Sequence, residues 1–194
     1  DFNGLKDFKV WYEAGKGARY TEVVPVREDD NAERISTGLS SGIMRSLERT
    51  LGKESYPVLE TFVEDIVSAS SIIVRGEGEA ESYSALLRES IEKFYPEKKI
   101  IWNPQGEEEA DLCLAVSITG KEKLTMDSIS RVVFAGGNAD VISANPQSLI
   151  SKAATNAIQV SDELFFKGDE HILGKFSILA VIEILTVLMG KDKV

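Results

Sequence analysis

The last stretch of the chain constrains the fold more than any other. Residues 169–190 read DEHILGKFSILAVIEILTVLMG, which is typical of a helix with almost no face for water. At about 100° per residue, one narrow sector holds Lys175, Leu179, Glu183 and Thr186. A helix this apolar has to be covered on most sides, by other elements of the chain or by another subunit. Its charged sector favours a buried helix over a membrane-spanning segment, so no membrane partner is expected.

Composition excludes some classes of function. The 194 residues carry 22 basic and 32 acidic side chains, a net charge of −10, and no basic stripe. We therefore expect no nucleic-acid partner. The single cysteine, Cys113, lies in an apolar run, which predicts a buried inert thiol and favours a cytoplasmic location. The length suits one α/β domain over residues 1–194. The start at Asp1 rather than Met suggests a piece of a longer chain.

The first half of the chain predicts alternating strands and helices. Residues 6–27 have two β-branched and aromatic runs around Gly15-Lys16-Gly17, which indicates a β-hairpin. Apolar periodicity then predicts helices over 31–51 and 56–69. Residues 70–104 form a strand, a turn, an amphipathic helix and a second strand. This order favours a parallel pair of strands.

The second half predicts two further strands and two helices. The runs ADLCLAVSITG (110–120) and SRVVFAGG (130–137) are interpreted as strands, with residues 121–127 as a polar linker. Asn145-Pro146 begins a helix that continues to about residue 166, and Gly168 separates it from the terminal helix. The predicted fold is a single α/β domain with a mixed β-sheet, an N-terminal antiparallel hairpin and a covering of helices. It ends in an αα-hairpin whose C-terminal helix is buried.

Three glycine-containing loops follow predicted strands, where open α/β sheets bind ligands. They are the loops at 76–79, 103–106 and 136–140. The residues predicted to bind a ligand are Gly76, Gly78, Asn103, Gly136, Gly137 and Asn138. The glycines would let a ligand approach the backbone, and the N–H groups that follow could hold an anion.

Acidic residues in the same loops suggest a metal. Glu77 and Glu79 would repel a bare phosphate, but Mg²⁺ prefers carboxylate and phosphate oxygens together. Glu77, Glu79 and Asp140 are therefore the predicted ligands of a Mg²⁺ ion. The competing interpretation is that the acids favour helix N-termini and that the glycines serve turns. The only histidine, His171, is interpreted as a helix-cap residue, and no catalytic residue is assigned.

One run has a counterpart in a known superfamily. RVVFAGGNADV resembles the glycine turn that actin-like ATPases and sugar kinases place against adenosine. The early hairpin has Glu13-Ala14-Gly15-Lys16-Gly17 where that superfamily has an Asp-x-Gly phosphate loop, so the chain is not assigned to it. The predicted function is small-molecule binding, at a metal-dependent nucleotide or phosphate-ligand site. The alternative is a non-catalytic domain that assembles into homo-oligomers through its terminal helix.

Overall fold

The computed structural model describes residues 30–106, 108–161 and 172–191. Within these ranges the chain forms a parallel β-sheet with helices on both faces. In chain order the elements are α1 (Ala32–Thr50), α2 (Tyr56–Ser68), β1 (Ser71–Gly76), α3 (Ala80–Phe94), β2 (Lys99–Trp102), β3 (Leu112–Ser117), α4 (Lys123–Phe134), β4 (Asn138–Ser143), α5 (Leu149–Ala153), β5 (Asn156–Gln159) and α6 (Ile172–Lys191).

The sheet has five strands in the order β2-β1-β3-β4-β5, and each pair of neighbours is parallel. β3 lies at the centre and all six of its residues are buried, since helices cover both faces. This explains why the strand reads as an almost unbroken apolar run. The parallel pairing predicted within residues 70–104 is confirmed by the β1–β2 register, in which Ile73 lies opposite Ile101.

The terminal helix lies in the larger of two apolar cores. Helices α2, α3 and α6 meet one face of the sheet, and the buried residues of α6 are Ile178, Val181, Ile182, Leu185 and Met189. Each aliphatic side chain of this size contributes about 1.5–3 kcal/mol when fully buried. The prediction of a buried C-terminal helix is confirmed. Leu179 and Glu183 of the predicted polar sector are exposed. Phe176 and Val187 are exposed as well, while Thr186 bonds to Ser90 of α3.

The smaller core lies on the opposite face, where α4 and α5 cover the sheet. Ile129, Val132 and Ile150 of these helices pack against small side chains of β3 and β4. Cys113 is fully buried here, and burial raises the pKa of its thiol to about 12. A thiol with this pKa stays protonated at neutral pH, which agrees with the expectation of an inert cysteine.

Two predictions about the sheet are wrong. The described sheet is all-parallel rather than mixed. The predicted hairpin at 6–27 lies outside the described residues. The predicted strand at 130–137 belongs to α4 and the turn after it. The helix buries Thr125, Ser128, Ile129 and Val132, which share one helical face, and two of these are polar. The apolar run at its end therefore looked like a strand in isolation.

The predicted αα-hairpin is also wrong. The helix expected from residue 145 to about 166 is only five residues long, since Ala154 is already extended with ψ 149°. The chain then forms β5, which pairs with β4 through Ile142 and Ile158. An edge strand therefore lies between α5 and the end of the described range at residue 161. None of the helices in the described ranges combines the length and apolarity that a membrane crossing requires.

Candidate functional site

The strand order places a natural crevice between β1 and β3. From β1 the chain moves outward to β2, then crosses back to form β3 on the other side of β1. The loops that leave the carboxyl ends of β1 and β3 therefore diverge to opposite sides. In open parallel sheets of this order, ligands bind at this switch point. The residues of the two loops, 77–79 and 118–122, are the first candidates for a site.

The loop after β3 holds a carboxylate of the chain itself. The main-chain N–H groups of Ile118 and Thr119 and the hydroxyl groups of Ser117 and Thr119 all donate to the Glu122 carboxylate, at 2.8 to 3.1 Å. We call these four donors the anion cradle. Burial by itself would raise the pKa of Glu122, but the hydrogen bonds from Thr119 and Ser117 outweigh it and hold that pKa below its usual value. The carboxylate is therefore ionised at neutral pH.

The loop after β4 supports the anion cradle from the side. Gly120 has φ +74°, a conformation that favours glycine, and a Cβ atom there would lie 2.2 Å from the Cβ of Ser148. The side-chain amide of Asn145 donates to the Thr119 carbonyl at 3.1 Å. The carboxyl ends of β3 and β4 are thus fixed against one another, which fixes the positions of the donors.

The loop after β1 lies on the other side of the crevice. A Cβ atom on Gly76 would lie 2.5 Å from the carbonyl oxygen of Ala80, so only glycine lets α3 begin this close to the strand. Its N–H donates to the side-chain oxygen of Asn103, which follows β2 and has φ 44°. Gly78 has φ +58° and open space around it. The structure therefore brings three of the predicted ligand residues together: Gly76, Gly78 and Asn103.

The predicted Mg²⁺ ligands are not brought together. Glu77 accepts from the N–H of Thr125 at 2.5 Å and from its hydroxyl at 2.8 Å. Glu79 pairs with Lys175 at 3.0 Å. Asp140 lies inside the sheet, on β4, and pairs with Asn156 of β5. In the part of the chain that the structure describes, no group of three or more His, Cys, Asp or Glu residues could hold a metal ion. The residues do not fit the predicted ion.

The third predicted loop lies at the opposite ends of the strands, away from the crevice. Gly136 and Gly137 lie between α4 and β4, and Asn138 is the first residue of β4, so all three lie at the amino ends of the strands. Gly137 allows close packing, since a Cβ there would lie 2.6 Å from the Asp111 carbonyl oxygen. Asn138 donates its side-chain amide to Asp65 at 2.9 Å. The glycine turn that resembles those of actin-like ATPases thus follows a helix.

Sequence reasoning missed the central residues of the site. Ser117, Thr119, Gly120 and Glu122 were assigned to a strand end and a polar linker. Their signal is small polar residues and a glycine between a buried strand and a helix, which becomes visible only once α4 is recognised.

The run Gly38–Gly42 fits the G-x-S-x-G pattern of a nucleophile elbow. It lies inside α1, however, rather than at a strand-to-helix turn.

No protein-family model matches the chain, and no curated protein is similar to it in sequence. Solved structures are similar to it in fold. The sugar isomerase domain of an RpiR transcription factor from Sphaerobacter thermophilus has a TM-score of 0.70 at 16% identity, over 82% of this chain and 91% of that chain. The NanR protein of Vibrio vulnificus, complexed with ManNAc-6P, has 0.67 at 16%, over 98% and 70%.

A hypothetical protein from Methanococcus jannaschii has a TM-score of 0.61 at 12% identity, over 82% of this chain and 90% of that chain. Its structure is described as inferring a molecular function of 3-hexulose-6-phosphate isomerase. At such identities a similarity in structure shows the fold alone. The chain has an α/β fold with a five-stranded parallel sheet, like that of a sugar isomerase domain.

Proposed function

We propose that the chain binds a phosphorylated sugar in the crevice between the carboxyl ends of β1 and β3. The observation that carries the proposal is the anion cradle, in which four donors converge on one negatively charged group at the switch point. Donors at 2.8 to 3.1 Å from a carboxylate oxygen suit a phosphate oxygen equally well. Open parallel sheets with a comparable reversal of strand order also bind their ligands at the switch point.

The similar structures support the sugar part of the proposal. NanR of Vibrio vulnificus was solved with ManNAc-6P, and the Methanococcus jannaschii protein is linked by its description to a hexulose 6-phosphate. Both ligands combine a polar sugar with a phosphate. The anion cradle would receive the phosphate of such a ligand. The glycine-containing loop after β1 would lie against its sugar.

The proposal is for binding rather than for isomerisation. Moving a proton between sugar carbons requires a general base whose lone pair faces the substrate. Glu77 accepts two hydrogen bonds from Thr125, and Glu79 pairs with Lys175. Both of these carboxylates therefore already have a structural partner.

A panel of ligands tests the proposal. Glucose 6-phosphate, fructose 6-phosphate and arabinose 5-phosphate would be titrated into ¹⁵N-labelled protein, alongside the same sugars without phosphate. We expect the amide signals of residues 117–120 and 76–78 to shift with the phosphorylated sugars only. Thr119→Val, which removes one cradle hydroxyl at nearly constant volume, should weaken binding. Thr61→Val on α2 is the matched control and should not. The absence of any shift at millimolar ligand would refute the proposal.

The second candidate function is assembly of two copies through α6. The observation that favours it is a stripe on this helix where Phe176 is 43% exposed, Leu179 38% and Val187 70%. These positions recur at intervals that place them on one face. Light scattering at tens of micromolar would show a dimer that Val187→Lys dissociates. A monomer under these conditions would remove this candidate.

A further inference from the structure

The anion-binding positions at the switch point are already taken by the chain's own carboxylates. Glu122 fills the anion cradle. Glu77 reaches across the crevice from the β1 loop to the first turn of α4, where it accepts from the N–H and hydroxyl of Thr125. A helix N-terminus and a loop of converging donors are the two features that usually receive a phosphate. Here each of them holds a glutamate.

We propose that Glu122 is a resident occupant of the anion cradle, which a phosphate must displace, so that this residue sets the affinity of the chain for phosphorylated ligands. The inference rests on the proposed function, because it concerns the same site. It adds a residue that controls which anions enter and how tightly they are held.

The competition follows from the number of donors. Ser117, Ile118 and Thr119 supply four donors, and each of the four points to a Glu122 oxygen. Two anions cannot share these donors, and two negative charges at this separation repel. The cradle can therefore hold either the carboxylate or a phosphate, and only molecules whose cradle is open can bind the ligand.

The short tether makes Glu122 a strong competitor. Only two residues separate it from Thr119, so the carboxylate is present at a high effective concentration. The apparent dissociation constant of a ligand equals its intrinsic value divided by the fraction of molecules whose cradle is open. Once displaced, the carboxylate remains beside the first turn of α4, where a negative charge is favourable. The short tether therefore weakens phosphate binding, but it does not prevent a phosphate from displacing the Glu122 carboxylate.

The position of Glu122 separates this role from helix capping. Glu122 is the N-cap residue of α4, yet its side chain makes no capping hydrogen bond to that helix. The carboxylate turns back to the loop instead. Replacing it by serine removes the competing anion and leaves a residue that is preferred at N-caps, which protects the fold.

Three variants in the full chain test the inference with glucose 6-phosphate, fructose 6-phosphate, arabinose 5-phosphate and inorganic phosphate as probes. Glu122→Ser opens the cradle. Glu122→Gln keeps the size of the side chain without its charge. Asp127→Asn, on the exposed side of the same helix, is the control for the loss of one negative charge. Binding is measured by calorimetry, and the amide signals of Ile118 and Thr119 report whether the cradle is the site.

We expect Glu122→Ser to bind the tightest-binding sugar phosphate at least about tenfold more tightly than the parent chain, with Glu122→Gln in between and Asp127→Asn within about twofold of the parent. Equal affinity in the parent and Glu122→Ser, with shifts at Ile118 and Thr119, would overturn the inference and leave the proposed function standing. If neither the parent nor Glu122→Ser binds any probe, both fall. A gain in Asp127→Asn equal to that in Glu122→Ser would also overturn the inference, since it would come from net charge alone.

Discussion

Asp140 makes the stability of this chain depend on pH in an unusual direction. The residue is 0% exposed, on the interior strand β4, and one side-chain oxygen accepts from Asn156 at 2.9 Å. Burial raises the pKa of Asp140 to about 7, against the lowering effect of the Asn156 hydrogen bond, and the neighbouring Asp65 carboxylate adds to the rise. The group is therefore half protonated near neutral pH.

The sign follows from comparing the folded and unfolded chains. Between pH 3.8 and about 7 the folded chain keeps the proton on Asp140, while the unfolded chain has lost it. Stability therefore falls as the pH rises through this window, and the loss is complete above about pH 7. A difference of roughly 3 pKa units, at about 1.4 kcal/mol each, gives a loss of up to about 4 kcal/mol.

Asp140→Asn removes this penalty, because asparagine is neutral at every pH and can still accept from Asn156. We expect the variant to match the parent near pH 4 and to exceed it at pH 8 by about 2–4 kcal/mol. For a chain of this length, such a gain raises Tm by at least about 4 °C. Thermal unfolding followed by circular dichroism from pH 4 to 8 measures the difference.

Asp127→Asn provides the control, since it makes the same substitution on an exposed residue of α4. Its Tm relative to the parent should change little across the pH range. The reasoning is refuted if Asp140→Asn is less stable than the parent at pH 8. It is also refuted if the gain is the same at pH 4 and pH 8, since a buried ionisation cannot give a pH-independent effect.

Two further substitutions test local geometry. Gly120→Ala should cost about 2–4 kcal/mol of unfolding free energy, because φ +74° is strained for alanine and its Cβ would lie 2.2 Å from the Ser148 Cβ. Gly136→Ala, at φ +89° with no atom within 4 Å, should cost only about 1 kcal/mol, and equal costs by denaturant titration would contradict the role of the contact. Asp111→Asn should show the opposite pH trend to Asp140→Asn, because hydrogen bonds from Ser71 and Ser70 lower the pKa of Asp111. The variant should be less stable than the parent at neutral pH. This deficit should shrink as the pH falls below 3.8 and through the lowered pKa of the folded chain.

The elements with strong apolar periodicity could be predicted from the sequence. The helices α2 and α3, the strands β1 and β3 and the buried α6 agree with prediction, because their buried faces are mostly Ile, Leu, Val and Phe. Helix α4 could not, since Thr125 and Ser128 lie on its buried side while Val133 and Phe134 are exposed. Hydrophobic periodicity is the main sequence signal of secondary structure, and at the end of α4 it predicts a strand instead of a helix.

The error in α4 explains why the three predicted loops do not all lie at the same ends of the strands. Because 130–137 was predicted as a strand, Gly136 and Gly137 were assigned to its carboxyl end and grouped with Gly76 and Asn103. The helix places Gly136 and Gly137 at the amino ends of the strands instead. The anion cradle was missed for the same reason, because residues 117–122 look like a strand end and a linker until a helix is known to follow. Spatial convergence of loops depends on strand direction, which no local pattern encodes.

The switch point also divides the sheet into two contiguous pieces of chain. Residues 71–102 supply β1 and β2, and residues 112–159 supply β3, β4 and β5. Among the strands of the described sheet, the two pieces are joined only by the pairing of β1 with β3. A ligand bound in the proposed crevice would contact a loop from each piece. Its binding energy would then hold the two pieces together, and bound protein should open there less often than free protein. The β1–β3 pairing, where the sheet would separate, is thus also the place where the proposed ligand would hold the two pieces together.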